Sequence, residues 1–261
     1  MRPVLKYPGA KNRLTPWIID YIPEHKVYVE PFAGSLAVLF AKERSHIETV
    51  NDINQDVVNF FRILRDQPEE LKRLLQYTPY SRKEYELAYE PAEDPMERAR
   101  RFAVKCWMSF AAGNRYKNGF KNGQQGSAPN PARAWAMLPE TSEEAAKRLA
   151  GVQIECLPAL ELIQRYHSED VFLYLDPPYF PDARNHNLYQ YEMTKADHEE
   201  LLQVIQHHPG KILISGYEND LYDEKLKGWE KVQKRTAAEN GASRIETLWM
   251  NYEIGQLRLD L

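Results

Sequence analysis

The chain has few cysteines, no long apolar run and no excess of positive charge. Its 261 residues contain two cysteines, Cys106 and Cys156, whose spacing suits neither a zinc site nor a disulfide framework. A reducing setting is therefore expected. The N-terminal segment lacks the apolar core of a signal peptide, and no run approaches the roughly 18 apolar residues that span a bilayer. These absences predict a soluble intracellular protein, and the net charge of −4 argues against one that coats nucleic acid or membrane with its whole surface.

Short apolar strands alternate with helical stretches over much of the chain. The predicted strands are 27–30, 47–50, 152–155, 171–175, 212–215 and 246–252, and the predicted helices are 35–42, 55–65 and 195–208. Such alternation predicts an α/β fold with a mostly parallel sheet and helices on both faces. Sheets of this kind bind ligands in the crevice beyond the carboxyl ends of their strands.

One long interval interrupts that alternation. Residues 68–150 read as helix and loop, and the glycine- and asparagine-rich tract 113–126 fits no strand. We therefore interpret 1–67 and 151–261 as one α/β domain and 68–150 as an inserted, mainly helical module.

Acidic residues are absent from 98–139, although the interval holds eight basic residues. They are Arg98, Arg100, Arg101, Lys105, Arg115, Lys117, Lys121 and Arg133. A local excess of this kind is what a contact surface for nucleic-acid phosphates needs. Tyr116 and Phe120, which lie among these residues, could stack on bases or wedge between them. A solvated helix followed by a mobile loop would give the same pattern.

The octapeptide LYLDPPYF places an acid on a rigid corner, because its two prolines end a buried strand. Asp176 and the carbonyl of Pro177 could accept both N–H groups of an aromatic amine and pull its nitrogen towards tetrahedral geometry. Pro178 removes a competing backbone donor, and Tyr179 offers a flat face for a base. An ordinary turn, with Asp176 accepting nearby backbone N–H groups, is the alternative.

Two further stretches follow predicted strands. EPFAGS would bring Gly34 and a helix N-terminus to the end of the first strand, where a ligand can approach the backbone closely. About 20 residues later, NDIN ends the second strand, and Asp52 stands where an acid commonly receives ribose hydroxyls. A helix N-cap before Gln55 is the alternative role for Asp52. Near the N-terminus, KYPGAK could bring the amine of Lys11 to a ligand carboxylate, or could be a flexible turn.

Taken in order, these motifs resemble those of a known enzyme family. KYPGAK, EPFAGS, NDINQD, NRYKNG, DPPYF, ISGYEND and ETLWMNY resemble the Dam-type DNA adenine methyltransferases, in particular their phage-encoded members, over nearly the whole chain. The resemblance implies a Rossmann-like, S-adenosylmethionine-dependent methyltransferase fold in which 68–150 is the DNA target-recognition domain. It also implies methyl transfer to N6 of a flipped-out adenine in double-stranded DNA, without a metal. Such an enzyme would be a monomer or weak dimer in the cytoplasm of a bacterial cell or phage-infected host.

The same resemblance implies roles for individual residues. The donor-binding set is Tyr7, Lys11, Glu30, Phe32, Gly34, Asp52, Ile53 and Asp176. The adenine-gripping set is Asp176, Pro177, Pro178 and Tyr179, and the DNA-reading set is Arg115, Tyr116, Lys117, Asn118 and Lys121. The chain departs from the family pattern at two places. Leu36 stands where a second glycine is common, and Cys156-Leu157-Pro158 stands where a further acidic residue is usual.

Other functions are open at this point. The same fold and donor would suit N4 of cytosine, an RNA adenine or a protein glutamine, although the basic insert disfavours glutamine. A dinucleotide-dependent oxidoreductase is disfavoured because no G-x-G-x-x-G follows Val29. A DNA-binding protein without catalysis would bind a labelled methyl donor yet transfer no label to DNA.

Overall fold

A seven-stranded sheet forms the centre of the protein. The computed structural model describes residues 1, 3–110, 116–123, 129–180, 189–237 and 243–254. The strands are β1 (Val27–Glu30), β2 (Ile47–Asn51), β3 (Gln153–Glu155), β4 (Val171–Leu175), β5 (Lys211–Tyr217), β6 (Glu230–Ala237) and β7 (Ser243–Met250). Their order across the sheet is β3-β2-β1-β4-β5-β7-β6. The first five strands in that order are parallel to one another, and β7 is antiparallel to both β5 and β6.

Eleven helices are present in the described part of the chain. They are α1 (Thr15–Ile19), α2 (Ala37–Ala41), α3 (Gln55–Asp66), α4 (Pro68–Tyr77), α5 (Arg82–Leu87), α6 (Pro95–Met108), α7 (Pro131–Ala136), α8 (Leu138–Leu149), α9 (Ala159–Arg165), α10 (Lys195–Gln206) and α11 (Asp220–Lys225). None of these helices combines the length and apolar character that a bilayer crossing needs.

Helices cover both faces of the sheet, and β4 shows why. All five of its residues are buried, and successive side chains point to opposite faces. Phe172 and Tyr174 join a cluster with α3 and the helices of the insert. Leu173 and Leu175 join a second cluster with α9, α10 and α11. The predicted α/β fold, with a mostly parallel sheet and helices on both faces, is confirmed.

The helices of 68–150 pack among themselves and against the rest of the chain. Helix α6 contacts α3, and α4 contacts α8. Phe102 of α6 lies 6.2 Å from Phe60 of α3, measured between ring centroids. One hydrophobic cluster thus runs from the sheet into the insert. The division into 1–67 with 151–261 and 68–150 remains a prediction.

The sequence prediction missed helices α1, α9 and α11, and it was wrong at two further elements. Strand β6 was not predicted, because it is a mostly exposed edge strand whose charged side chains hide any apolar alternation. Helix α2 begins at Ala37 and not at residue 35, because Leu36 adopts a left-handed conformation with φ of 56°. The predicted Thr194 cap of α10 is confirmed. Its side chain accepts from the backbone of Asp197, whose own side chain accepts in return.

Candidate active site

A cavity of about 500 Å³ lies at the carboxyl ends of β1, β2 and β4. Its volume falls in the range of roughly 300–1,000 Å³ that is typical of small-molecule sites. All eight residues of the predicted donor-binding set line it, namely Tyr7, Lys11, Glu30, Phe32, Gly34, Asp52, Ile53 and Asp176. Four separate sequence motifs therefore meet at the edge of the sheet where parallel α/β folds bind ligands.

Asp52 holds the turn after β1 against the end of β2. One of its carboxylate oxygens accepts from the backbone N–H of Gly34 at 2.9 Å, and the other accepts from that of Asn54 at 2.8 Å. Burial raises the pKa of Asp52 to about 6. Asp52 is not the cap of α3, because the side chain of Asn54 accepts from the N–H of Asp56. The alternative role that the sequence left open for Asp52 belongs to Asn54.

The turn between β1 and α2 needs two left-handed residues. Gly34 has φ of 46°, and a Cβ there would lie 3.2 Å from the ring of Tyr7. Leu36 has φ of 56° and is fully buried. The position that commonly holds a second glycine in the family thus keeps a glycine-like backbone here, and the leucine side chain packs into the core.

Asn51 is a site residue that the sequence analysis missed. Its side-chain amide donates to the carbonyls of Pro31 and Leu157, both at 3.0 Å, and its carbonyl oxygen accepts from the N–H of Leu157 at 2.8 Å. It thereby ties together the chain segments that follow β1, β2 and β3 beneath the cavity. Asn51 is the first residue of the NDIN motif, directly before Asp52.

The acid of the rigid corner faces the cavity. The Asp176 side chain is 19% exposed, lines the cavity and accepts a hydrogen bond from the Ser215 hydroxyl at 2.9 Å. Pro178 also lines the cavity, whereas Pro177 and Tyr179, both of them described, do not. Asp176 and Pro178 therefore share the cavity with the other residues of the predicted donor-binding set, whereas Tyr179 lies behind the described cavity lining.

Lys11 occupies the space beside that acid. Its ammonium lies 2.7 Å from the Asp176 carboxylate, 4.6 Å from the centroid of the Tyr179 ring and 3.8 Å from the Glu246 carboxylate. It also donates to the carbonyl of Gly9 at 2.9 Å. Burial opposes the charged ammonium, but Asp176 and Glu246 outweigh it, so that the pKa of Lys11 is raised. An internal amine thus sits between the acid and the aromatic ring that were predicted to grip a base.

Tyr179 is buried and held from two sides. Its hydroxyl donates to Glu246 on β7, and its ring meets Tyr217 edge-on at 4.6 Å between centroids. Glu246 is the second functional candidate that the sequence analysis missed. The available signal was an acid at the first position of the predicted strand 246–252.

An aromatic segment after the corner completes the described wall of the cavity. Tyr189 lies 6.2 Å from Tyr7 between ring centroids, and its hydroxyl donates to the carbonyl of Pro8 at 3.3 Å. Gly9, with φ of 69°, leaves room for that hydroxyl, because a Cβ at this position would collide with it. Tyr191 lines the same wall. Neither tyrosine was predicted, since no motif precedes them closely enough to mark their position.

A family model described as D12 class N6 adenine-specific DNA methyltransferase matches residues 7–240. The chain belongs to this family. A DNA adenine methylase of Vibrio cholerae is 29% identical over 264 residues, which cover 93% of this chain and 92% of that protein. A type II methyltransferase of Lactococcus lactis is 27% identical over 219 residues, covering 78% and 75%. The DNA N-6-adenine-methyltransferase of Escherichia phage P1 is 27% identical over 213 residues, covering 78% of this chain and 27% of that protein.

Family membership confirms the resemblance that the motifs indicated. The protein is an enzyme, a DNA adenine-N6 methyltransferase, and its substrate is DNA. The oxidoreductase and the non-catalytic DNA-binding protein are thereby excluded.

A small hairpin in the insert of this D12 methyltransferase presents exposed aromatic residues. Its described residues are 108–110 and 116–121. The backbone N–H of Phe110 donates to Gly119 at 2.9 Å, and that of Lys121 donates to Met108 at 2.7 Å. Phe110 is 72% exposed and Tyr116 is 59% exposed. Phe120 is half-buried, and its ring packs against those of Tyr80 and Tyr85. Its role in DNA contact stays a prediction, and Phe110 is a further exposed aromatic residue beside Tyr116.

Two lysine side chains lie near the ring of Tyr89, whose hydroxyl contacts that of Ser109 in this hairpin. The ammonium groups of Lys117 and Lys105 lie 5.7 and 5.4 Å from the centroid of the Tyr89 ring. Asn118 is exposed next to Lys117, and Lys121 closes the hairpin. Arg115 lies outside the described residues. The predicted DNA-reading set is thus grouped on one hairpin wherever the structure describes it.

Three of the eight basic residues in 98–139 form ion pairs with carboxylates of the same protein. Arg98 pairs with Asp56 at 2.7 Å, and Arg100 and Arg101 each pair with Glu97 at 2.7 Å. The interval counted on the sequence therefore overstates the basic surface. Of the other basic residues in this interval that the structure describes, Lys117 on the hairpin and Arg133 on α7 are exposed.

Proposed function

We propose that the cavity binds S-adenosylmethionine and that the Asp176 corner holds the target adenine beside it. One observation carries this proposal. The predicted donor-binding residues come from four distant motifs, yet they line one cavity, and Asp176 and Pro178 line the same cavity.

The cavity lining fits the chemical groups of this donor. Each carboxylate oxygen of Asp52 accepts one backbone N–H and keeps a second lone pair that could accept a ribose hydroxyl. Phe32, Ile53 and Leu160 give apolar surface for a purine ring. Bound S-adenosylmethionine supplies an electrophilic methyl group on a sulfonium, so this chemistry requires no metal.

The corner supplies acceptors for the amino group of adenine. The N6 lone pair is delocalised into the ring, so N6 is a poor nucleophile. Asp176 and the carbonyl of Pro177 would each accept one N–H and draw the nitrogen towards tetrahedral geometry. Transfer would form the N6–carbon bond as the carbon–sulfur bond breaks, with S-adenosylhomocysteine as the leaving group. The Asp176 carboxylate would be the first acceptor of the surplus N6 proton.

The insert would place DNA against this corner. Because N6 is inaccessible inside a duplex, the adenine has to be extruded at a cost of a few kcal/mol, offset by stacking and phosphate contacts. Phe110 and Tyr116 are exposed rings that suit stacking, and Lys117 and Lys121 suit phosphates. Asn118 suits an adenine edge, and Arg115 a guanine edge. In this proposal, 68–150 acts as the target-recognition module on double-stranded DNA.

A transfer assay tests the proposal. The purified protein, tritiated S-adenosylmethionine and DNA free of adenine methylation should give labelled N6-methyladenine. Asp176→Ala should abolish transfer while donor binding stays measurable by calorimetry. Asp170→Ala provides a matched control, because Asp170 is an exposed acid at the other end of β4. Unchanged turnover in the Asp176 variant would contradict the grip, and a cavity that binds no donor would contradict the cofactor assignment.

A further inference from the structure

Glu246 is a buried carboxylate next to the catalytic corner. It lies on β7, is 3% exposed and stands behind the described lining of the cavity. It accepts the hydroxyl hydrogen of Tyr179, and its carboxylate lies 3.8 Å from the Lys11 ammonium. Burial raises the pKa of Glu246, whereas Lys11 opposes that rise. A buried acid of this kind is costly, so its partners matter.

The hydroxyl contact limits the motion of the Tyr179 ring. A tyrosine ring turns about bonds at its Cβ end, and here its far end is tethered to Glu246. Tyr217 packs edge-on against the same ring. The plane that Tyr179 would present to a base is thus set by Glu246 on β7 and Tyr217 on β5, and not by the DPPY corner alone.

The contact with Lys11 becomes important when the substrate arrives. In the structure Asp176 is the nearer counter-charge for the Lys11 ammonium, and Glu246 lies on its other side. A target amine that takes an Asp176 oxygen would weaken that ion pair. A nearly buried ammonium without a counter-charge is costly. Glu246 offers Lys11 a second carboxylate without requiring it to leave the corner.

We propose that Glu246 is a positioning residue for methyl transfer. It holds the ring of Tyr179 in place and keeps Lys11 paired while the target amine occupies Asp176. This inference rests on the proposed function of the corner.

Glutamine and aspartate at position 246 separate charge from shape. Glu246→Gln keeps the size and an acceptor for the Tyr179 hydroxyl but gives Lys11 no negative charge. We expect its single-turnover transfer rate to fall by about tenfold to a hundredfold. Its dissociation constants for donor and DNA should stay within about twofold of those of the wild type. Glu246→Asp retains the charge and should recover part of the lost rate.

Removal of the Tyr179 hydroxyl tests the other contact. Tyr179→Phe keeps the ring and its packing but frees it from Glu246. Transfer should slow about severalfold, with donor affinity unchanged. A wild-type rate in Tyr179→Phe would show that the tether to Glu246 does not position the ring.

Glu48→Gln is the matched control. Glu48 is also a 3% exposed carboxylate on a strand, paired with Lys42 and Arg148 at 2.8 Å, and it lies outside the described cavity lining. Its replacement should lower the melting temperature and leave the transfer rate per folded molecule unchanged. Glu246→Gln should lower the transfer rate per folded molecule and leave the melting temperature unchanged.

Each outcome has a distinct meaning. A wild-type enzyme that transfers no methyl to adenine would defeat the proposed function itself. An active wild type with an equally active Glu246→Gln would defeat only the role of Glu246. That role would also be overturned if Glu246→Gln lost thermal stability as Glu48→Gln does, with the rate per folded molecule unchanged.

Discussion

Lys11 and Asp176 are 165 residues apart in the sequence and form a nearly buried ion pair of 2.7 Å at the end of the cavity. The pair places an ammonium against the acid that is proposed to receive the amino group of adenine. Substrate binding therefore involves an exchange of one amine for another at the same carboxylate. Removing one partner of the pair would be costly, because the other would remain nearly buried without a counter-charge.

Loss of Lys11 should destabilise the protein through Asp176. We expect Lys11→Met to lower the free energy of unfolding by about 2–4 kcal/mol, since the remaining carboxylate loses its counter-charge. Asp176→Asn in the same chain should recover part of that loss, giving a coupling free energy of at least about 1 kcal/mol. Denaturant unfolding of the two single variants and the double variant measures the coupling. Strictly additive losses would show that the ion pair contributes nothing.

Donor binding should depend on the protonation of Asp52. Its pKa of about 6 means that acidification from pH 7.5 to 5.5 protonates the carboxylate and removes an acceptor from the proposed ribose site. We expect the affinity for S-adenosylmethionine to fall across that interval in the wild type. Asp52→Asn should bind about tenfold more weakly at pH 7.5 and show a flatter pH dependence. Calorimetric titrations with the donor at several pH values measure this dependence. If the affinity of Asp52→Asn fell with pH as steeply as that of the wild type, the titrating group would not be Asp52.

The left-handed backbone at Leu36 predicts an unusual order of stabilities. Leu36→Ala should lower the free energy of unfolding by about 2–5 kcal/mol, because a buried side chain is lost. Leu36→Gly loses slightly more side chain but relieves the backbone penalty of about 1–2 kcal/mol. The glycine variant should therefore be at least as stable as the alanine variant.

Leu39 gives the control for this comparison. It is buried in α2 with helical backbone, so Leu39→Gly should be less stable than Leu39→Ala by about 1 kcal/mol. Denaturant unfolding of the four variants decides the matter. The same order of glycine and alanine at both positions would count against strain at Leu36.

The hairpin lysines should set the salt dependence of DNA binding. Replacing Lys117 and Lys121 by alanine should reduce the slope of log K against log salt by about one for each lysine. Lys26→Ala serves as the control, since Lys26 is an exposed lysine directly before β1, at the amino ends of the parallel strands. Fluorescence anisotropy at several salt concentrations gives the slopes. A slope unaltered in the double variant would remove the hairpin from the interface.

Much of the fold was readable from local patterns. The apolar run that forms β4 is buried on both faces, and the prolines after Asp176 end it where the sequence predicted. The strands and helices around EPFAGS and NDIN also begin and end within two residues of their predicted bounds. The carboxyl ends of parallel strands meet at one edge, which agrees with the family resemblance that implied one site for Asp52 and Asp176.

Other features depend on partners that no local pattern reveals. Glu246 meets Tyr179 across 67 residues of sequence, and Arg98 is neutralised by Asp56 from another helix. Strand β6 lies at the edge of the sheet beside β7 and carries mostly exposed side chains, so it has no apolar signature.

The sequence by itself determined where the chain turns after β4, that the β4 run is buried and which motifs follow strands at the ligand edge, because these follow from side-chain hydrophobicity and backbone restriction within a few residues. Only the tertiary structure decided which charges pair with each other, that the Phe120 ring packs against Tyr80 and Tyr85 while Phe110 faces solvent, and that Lys11 lies against Asp176. Such contacts join residues distant in sequence, and they form only when the packing of the whole chain places their side chains within a few ångströms of one another.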